Sequence, residues 1–310
     1  MWKPARVLLL SIVAALLWPL SVGVASDASK PPPLHYGKPK AVGALSDWEI
    51  KESSGLARSL LNSGAFWTHN DSGDVARVFL IGPAGKTLAT YTIRGAVAVD
   101  WEDIASFKHD DYSCVLVADV GDNTAERKSC TLYIVREPVV DPKFSPRTRN
   151  LRVWKTISFT YEDGPRDCEA VAVDPVSKSI FLAAKSGGAV YELPWPEREL
   201  SGPMTARVVG SLGVSDVTAM DISPDGMRAI VLTYHDAYEY VRGDDEPWPE
   251  AFSRGGRLIP MPPRIQGESI CYGPDGKTLY LTSEGVSQPL WEVSPVFGGE
   301  SEPLKPHISE

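Results

Sequence analysis

The sequence predicts an all-β protein that folds as a single β-propeller of four-stranded blades. Three observations support this prediction. A self-similar unit recurs about every 50 residues, each unit contains several short apolar segments, and Gly and Pro are abundant, at 26 each in 310 residues. Repeats of four short strands at this period are typical of propeller blades. An open β-sandwich is the alternative, although a sandwich does not require such self-similarity.

Each repeat begins with polar or acidic residues that lead into an apolar strand. The five copies start at residues 52, 100, 167, 216 and 266, so the successive intervals are 48, 67, 49 and 50 residues. Second strands are predicted at 65–69, 114–118, 180–184, 229–234 and 278–283. In the last two copies, Pro-Asp-Gly turns at 224–226 and 274–276 join the first strand to the second, as the fixed φ of Pro and the positive φ of Gly favour.

The N-terminal part of the domain is expected to close the ring. The fifth copy leaves little chain for a fourth strand after Val293, whereas residues 40–45 form a strand-like segment before the first copy. A strand from the N-terminus would complete the last blade and remove its open edge. The 67-residue interval also leaves room for a degenerate sixth blade around residues 138–160. Five blades are therefore predicted, with six as the alternative.

The N-terminus predicts export. Lys3 and Arg6 precede an apolar stretch at 7–20, and small residues follow it, which is typical of a signal peptide. We expect a signal peptide at 1–26, a linker at 27–39, the propeller domain at 40–296 and a C-terminal tail at 297–310. The protein is then secreted or periplasmic, with no stable membrane span after signal cleavage.

Composition narrows the expected partners. The net charge is −9 and the isoelectric point is near 5.2, which argues against nucleic-acid binding. We expect a monomer that binds a small molecule or another ligand of the cell envelope. The four cysteines allow three disulfide connectivities, among which the sequence does not select; they are Cys114, Cys130, Cys168 and Cys271.

Two sets of polar residues recur at equivalent positions of the five repeats. The first set begins the first strands and comprises Ser54, Glu102, Glu169, Thr218 and Glu268. The second set ends the second strands and comprises Asn70, Asp119, Lys185, His235 and Glu284. The paired positions are 16, 17, 16, 17 and 16 residues apart. In an antiparallel hairpin the start of one strand neighbours the end of the next, so both sets are expected at one mouth of the channel.

Carboxylates dominate this predicted mouth. Three glutamates in one ring repel each other unless a cation or a proton compensates, and Ca²⁺ accepts oxygen ligands in flexible geometry. We therefore predict a Ca²⁺ site with Glu102, Asp119, Glu169 and Glu268 as ligands. Further oxygens are expected nearby from Asp71, Asp100, Asp103, Asp122, Asn123 and Asp167. The predicted substrate-facing residues are Ser54, Asn70, Asp71, Lys185, Thr218 and Glu284. His235 is the candidate general base. A hydrated channel with structural carboxylates is the alternative.

Several sequence runs resemble known proteins. They are Trp-Thr-His-Asn-Asp-Ser-Gly (67–73), Asp-Trp-Glu-Asp-Ile-Ala (100–105), Ala-Asp-Val-Gly-Asp-Asn (118–123), Asp-Cys-Glu-Ala-Val (167–171) and Gln-Gly-Glu-Ser-Ile (266–270). These runs resemble a group of secreted bacterial propeller proteins. That group is similar to β-propeller and esterase-like phytases, and to propellers of the gluconolactonase, regucalcin and paraoxonase type.

The resemblance implies that Ca²⁺ in the channel polarises a phosphate or a lactone. Glu102, Glu169 and Glu268 match the acidic position at the start of a blade, and Asp119 and Asn70 match the oxygen donors that lactonases use. A phytate site would need several Lys and Arg residues, and the only candidates here are Lys185, Arg58 and Arg94.

The sequence leaves two function classes open. The first is a Ca²⁺-dependent hydrolase of small esters, lactones or phosphoesters. The second is a non-catalytic propeller that binds a ligand or a protein in the cell envelope, because one fold serves many functions.

Overall fold

A computed structural model describes residues 30–141, 143, 148–198 and 200–296. The predicted signal peptide and C-terminal tail lie outside the described residues. The all-β prediction is confirmed, because the described chain consists of strands β1 to β20 and one short helix. In this part of the chain no helix is long and apolar enough to span a membrane.

The strands form five antiparallel meanders, each of four strands. After β1 (Lys40–Ala44), meander 1 comprises β2 (Ser53–Arg58), β3 (Phe66–Asn70), β4 (Arg77–Ile81) and β5 (Thr87–Arg94). Meander 2 comprises β6 (Trp101–His109), β7 (Tyr112–Asp119), β8 (Cys130–Arg136) and β9 (Thr148–Tyr161). Meander 3 comprises β10 (Cys168–Val173), β11 (Ile180–Ala184), β12 (Ala189–Leu193) and β13 (Met204–Ser211).

The last two meanders have the same order. Meander 4 comprises β14 (Val217–Ile222), β15 (Arg228–Thr233), β16 (Ala237–Val241) and β17 (Arg257–Ile259), with helix α1 (Trp248–Ser253) between its last two strands. Meander 5 comprises β18 (Gly267–Tyr272), β19 (Leu279–Ser283), β20 (Pro289–Val293) and, from the other end of the domain, β1. The segment 138–160 contributes to a single strand, β9, which is the fourth strand of meander 2.

The first strands of the meanders contact one another in a ring. Strand β2 contacts β6, β6 contacts β10, β10 contacts β14, β14 contacts β18, and β18 contacts β2. This is the arrangement of a β-propeller, in which the sheets radiate from a central axis. Among the described residues, each neighbouring pair of meanders shares one hydrophobic cluster. Because both faces of a sheet are covered, the second strands read as nearly continuous apolar runs.

Side chains bridge the ring close to the axis. Asp103 is fully buried, and its Oδ2 accepts hydrogen bonds from the backbone N–H of Val171 at 2.8 Å and of Met220 at 3.1 Å. Its Oδ1 accepts a third from Ile104 at 2.8 Å. One carboxylate therefore joins the first strands of meanders 2, 3 and 4. In meander 4, Asp221 similarly accepts from the N–H of Tyr272 at 2.8 Å.

The segment before β1 packs against meander 4. Tyr36 donates a hydrogen bond to the buried Glu239 at 2.8 Å, and Glu239 also pairs with Arg228 at 3.3 Å and Arg257 at 3.1 Å. The same two arginines donate to the backbone carbonyls of Pro32 and Leu34. The predicted linker at 27–39 thus has residues that are bound to the domain.

Helix α1 begins within the acidic, Pro-bearing stretch 244–249, whose composition alone favours a solvated loop. Trp248 and Phe252 are buried, and their rings stack at 5.2 Å between centroids. They join the hydrophobic cluster between meanders 3 and 4. The apolar faces of these aromatic residues determine the position of the helix, because burying them stabilises the packed state.

We predict that Asp103→Ala lowers the free energy of unfolding by about 3 kcal/mol or more, since it leaves three buried N–H groups without an acceptor. Urea denaturation at constant pH measures the change. Asp111→Asn, at an exposed position in the turn between β6 and β7, is the control and should change stability by less than about 0.5 kcal/mol. Equal stability of the two variants would contradict a bridging role for Asp103.

Candidate metal centre at the channel mouth

A register shift occurs near the start of every first strand. It lies between Ser54 and Leu56 in β2, and at Glu102, Glu169, Thr218 and Glu268 in the other four strands. A bulge of this kind leaves one residue without a partner and redirects its side chain. The predicted repeat position is therefore the bulged residue in four meanders. In β2 the bulge falls on Gly55 instead, whose φ is 83°.

The three bulged glutamates converge with four other carboxylates at one mouth. Three overlapping groups have oxygens within 4.8 Å of one another: Asp71, Asp100 and Glu102; Asp71, Glu268 and Glu284; and Glu102, Asp167 and Glu169. We call these seven residues the carboxylate belt. Asp71 belongs to two groups and Glu102 to two, so the belt is continuous from meander 5 to meander 3.

Glu102 lies at the centre of the belt. Its side chain is only 3% exposed, and within the described residues its carboxylate has neither a hydrogen-bond donor nor a basic partner. Burial raises its pKa well above the ordinary value, and the neighbouring Glu169 and Asp71 raise it further. This carboxylate is therefore an acceptor that lacks a donor or a cation.

Burial also raises the pKa of four further belt residues, which are Asp71, Asp100, Glu169 and Glu268. The pKa of Asp71 rises to about 6 and that of Glu268 to about 9, and the nearby Glu284 adds to both shifts. Burial also raises the pKa of Glu169, to about 7, although its ion pair with Lys185 opposes the shift. The metal-free belt consequently retains protons at neutral pH.

Gly121 gives the belt its space. A methyl group at this position would overlap Oε1 of Glu102 and would lie 2.6 Å from the carboxylate carbon of Asp100. The next residue, Asp122, donates its backbone N–H to Asp167 at 2.9 Å. The loop after β7 therefore supports two groups of the belt, and a side chain at 121 would displace the carboxylates of Glu102 and Asp100.

Two predicted mouth residues serve as links between meanders. Ser54 donates its hydroxyl to the carbonyl of Glu102 at 2.5 Å, and Thr218 donates to the carbonyl of Gly267 at 2.7 Å. Both are about 1% exposed. These hydroxyls connect a first strand to the next one.

Other predicted residues lie beside the belt. Asn70 uses its amide to hold the loop before β2, accepting from Lys51 at 2.9 Å and donating to the carbonyl of Glu49 at 2.8 Å. Asp119 is buried and pairs with Arg127 at 2.7 Å, and it is not in any of the three carboxylate groups. Its pKa is raised by burial, which Arg127 partly offsets.

Lys185 lies next to the belt, between one acidic partner and one aromatic partner. Lys185 pairs with Glu169, and its Nζ is 5.5 Å from the ring centre of Tyr234. His235 follows Tyr234, is exposed, and accepts through its carbonyl from Arg264 at 3.0 Å. Sequence reasoning did not identify Tyr234, Gly121 or Arg127. All three residues follow the end of a second strand in the sequence. This position was the signal by which they could have been found.

Comparisons with known proteins give little further guidance. No family model matches the sequence, and no curated protein matches it. One similar solved structure is a gluconolactonase from Xanthomonas campestris, at 10% identity and a TM-score of 0.43, covering 86% of this chain and 100% of the other. A second, a structural-genomics target assigned as a gluconolactonase, shows 10% identity and a TM-score of 0.46, covering 85% and 93%. Likeness at this level supports no inference about activity.

We predict that the metal-free protein becomes less stable as pH rises from about 4.5 to about 9. The folded-state pKa values of Asp71, Glu169 and Glu268 lie above their ordinary values of 3.8 and 4.5, so the folded state binds protons more tightly than the unfolded state. The resulting stability is present at low pH and is lost through this window. Urea denaturation in the presence of a chelator measures it. A free energy of unfolding that rises across the window would contradict the shifts.

Proposed function

We propose that the chain is an exported, five-bladed β-propeller closed by β1, and that its mouth binds Ca²⁺ and hydrolyses a neutral ester or lactone. The five meanders correspond to the blades. The antiparallel pairing of β1 with β20, from Lys40 opposite Glu292 to Ala44 opposite Pro289, supports closure by the N-terminal strand. The signal-like N-terminus supports export.

The observation that carries the metal proposal is the unpartnered carboxylate of Glu102. An ionised carboxylate that is buried without a partner is costly unless it is paired, protonated or bound to a metal. Glu102 lies within 4.8 Å of oxygens from Asp71, Asp100, Asp167 and Glu169. Hard oxygen donors of this number and flexibility suit Ca²⁺, which takes six to eight oxygens including water.

The residues present fit such an ion. The space at Gly121 leaves room for two carboxylates to approach each other, and the belt contributes oxygens only. We propose Glu102, Glu169 and Glu268 as ligands, as the sequence suggests, with Asp71 joining the two groups to which it belongs. Asp119 is proposed as a positioning residue, because its carboxylate is already held by Arg127.

Bound Ca²⁺ would supply Lewis-acid polarisation of the scissile carbonyl or of a water molecule. The chain's own residues would orient the substrate and move protons. Lys185, held in place by Glu169, is suited to donate a hydrogen bond to a carbonyl oxygen. His235 is proposed as the general base, because it is exposed and directly follows Tyr234, whose ring lies beside Lys185.

Charge favours a neutral substrate over a phosphoester. The belt has seven carboxylates, and Lys185 is the basic residue that pairs with one of them among the described residues. One divalent ion would leave the mouth negative at neutral pH. A phosphate group would be repelled there and would lack the Arg and Lys contacts that usually bind it.

We predict that Ca²⁺ binds the wild type with a stoichiometry near one and that Glu102→Gln weakens binding at least tenfold, because a charged ligand is replaced by an amide. Isothermal titration calorimetry on chelator-treated protein measures both values. Glu197→Gln, at an exposed position remote from the belt, is the control and should bind as the wild type does.

A second pair of variants separates the site from general charge. Gly121→Ala should weaken Ca²⁺ binding because its methyl group would displace Glu102, whereas Gly202→Ala meets no atom within 4 Å and should have no effect. Absence of a binding signal in the wild type, together with an unchanged melting temperature in Ca²⁺, would remove the metal from the mechanism.

We further predict that the Ca²⁺-loaded protein hydrolyses short aliphatic lactones or esters and not p-nitrophenyl phosphate. Chelation and Glu169→Gln should each lower kcat/KM at least a hundredfold, since both disturb the polarising centre. Assays across a lactone, ester and phosphoester panel measure this. Calcium binding without any turnover would instead favour the non-catalytic binding propeller.

A further inference from the structure

Strand β9 belongs to meander 2, pairs at its two ends with strands of meanders 1 and 3, and has an open edge between them. It spans Thr148–Tyr161. Residues 148–152 pair in parallel with β5 of meander 1, and residues 159–161 pair in parallel with β13 of meander 3. Between these stretches, residues 153–158 pair only with β8. Their second edge therefore has no strand partner within the described part of the chain.

A cavity lies beside this open edge. Its volume is about 410 Å³, and it is lined by Trp154, Lys155 and Thr156 of β9 and by Leu200 from the loop before β13. This volume is in the range of sites that hold small ligands or single side chains of a bound peptide. The cavity thus brings Leu200, from the loop before β13, next to three residues of this edge.

Aromatic residues support the lining of this cavity. The Trp154 ring stacks on Trp195 with centroids 6.4 Å apart and an angle of 23° between the planes. Trp195 is 8% exposed, and it also packs against Phe107 at 5.3 Å. Because Trp154 is fixed between neighbours, the wall it forms is ordered before a ligand binds, which lowers the entropic cost of binding.

Basic residues are concentrated on β9 in a protein of net charge −9, and Lys155 is the one among them that lines the cavity within the described residues. Strand β9 carries Arg149, Arg152 and Lys155 and no acidic residue. Lys155 lies over the Trp195 ring at 5.6 Å, and Arg136 lies over the Tyr112 ring at 3.6 Å. Neither Lys155 nor Arg136 has a carboxylate within 4 Å among the described residues.

We propose that the open edge of β9 binds an extended, acidic peptide segment, which adds to meander 2 as a further strand. Main-chain hydrogen bonds to residues 153–158 would supply affinity, and the cavity would take one apolar side chain between acidic ones. The alternating charge of the partner follows from the period of two in a strand. This surface is separate from the carboxylate belt and does not depend on the function proposed there.

Fluorescence anisotropy with a labelled, capped peptide of sequence Glu-Val-Glu-Val-Glu tests the proposal on the full-length exported protein. We expect saturable binding. The same peptide with N-methylated valines keeps its charge but loses main-chain donors, and should bind at least tenfold more weakly. A Lys-Val-Lys-Val-Lys peptide should show no binding. Hydrogen exchange should slow at the amides of residues 153–158 when the acidic peptide is bound.

Variants locate the site. Lys155→Gln and Trp154→Ala should each weaken the acidic peptide at least fivefold, whereas Trp48→Ala, which removes an exposed tryptophan elsewhere, should leave it unchanged. An unchanged melting temperature and circular dichroism spectrum would show that the variants are folded. Equal binding of the N-methylated peptide, tighter binding of an oligogalacturonate of equal charge, or no binding of any probe would each overturn the proposal.

Discussion

The structure depends on how closely five first strands approach a single axis. Only near the axis can one carboxylate, that of Asp103, accept N–H groups from three different strands. At one end of these strands, bulges redirect the side chains of Glu102, Glu169 and Glu268. The carboxylate belt therefore depends on bulged strands that meet around one axis.

The belt brings many carboxylates together, and the described basic residues pair with only some of the acidic side chains at the mouth. Lys185 compensates Glu169 and Arg127 compensates Asp119, but no described residue gives Glu102 a hydrogen-bond donor or a cation. Structural carboxylates in this protein are treated differently: Glu239 has two arginines and Tyr36 around it. This contrast is the reason why Glu102, and not Glu239, is proposed as a metal ligand.

The sequence was sufficient to predict the strand pattern, because the repeat period and the apolar runs reflect sheets that are covered on both faces. It also predicted Glu102, Glu169 and Glu268 as neighbours, since equivalent repeat positions must meet around an axis. It did not distinguish Ser54 and Thr218, which occupy the same position but bond to the next strand. Nor did it separate Asp119 from the belt, because a partner such as Arg127 depends on how the following loop folds. The length of β9 could not be predicted, since its first residues pair with a strand of another meander.

The pairing of β1 with β20 has a consequence for the order of folding. The first strand of the domain to leave the ribosome, or to emerge from a translocation channel, finds its partner among the last. Until then meander 5 has an unpaired edge and Glu239 lacks Tyr36. Contacts between residues so distant in sequence form slowly, because a large loop must close first. The domain therefore completes this sheet only after β20 has been synthesised.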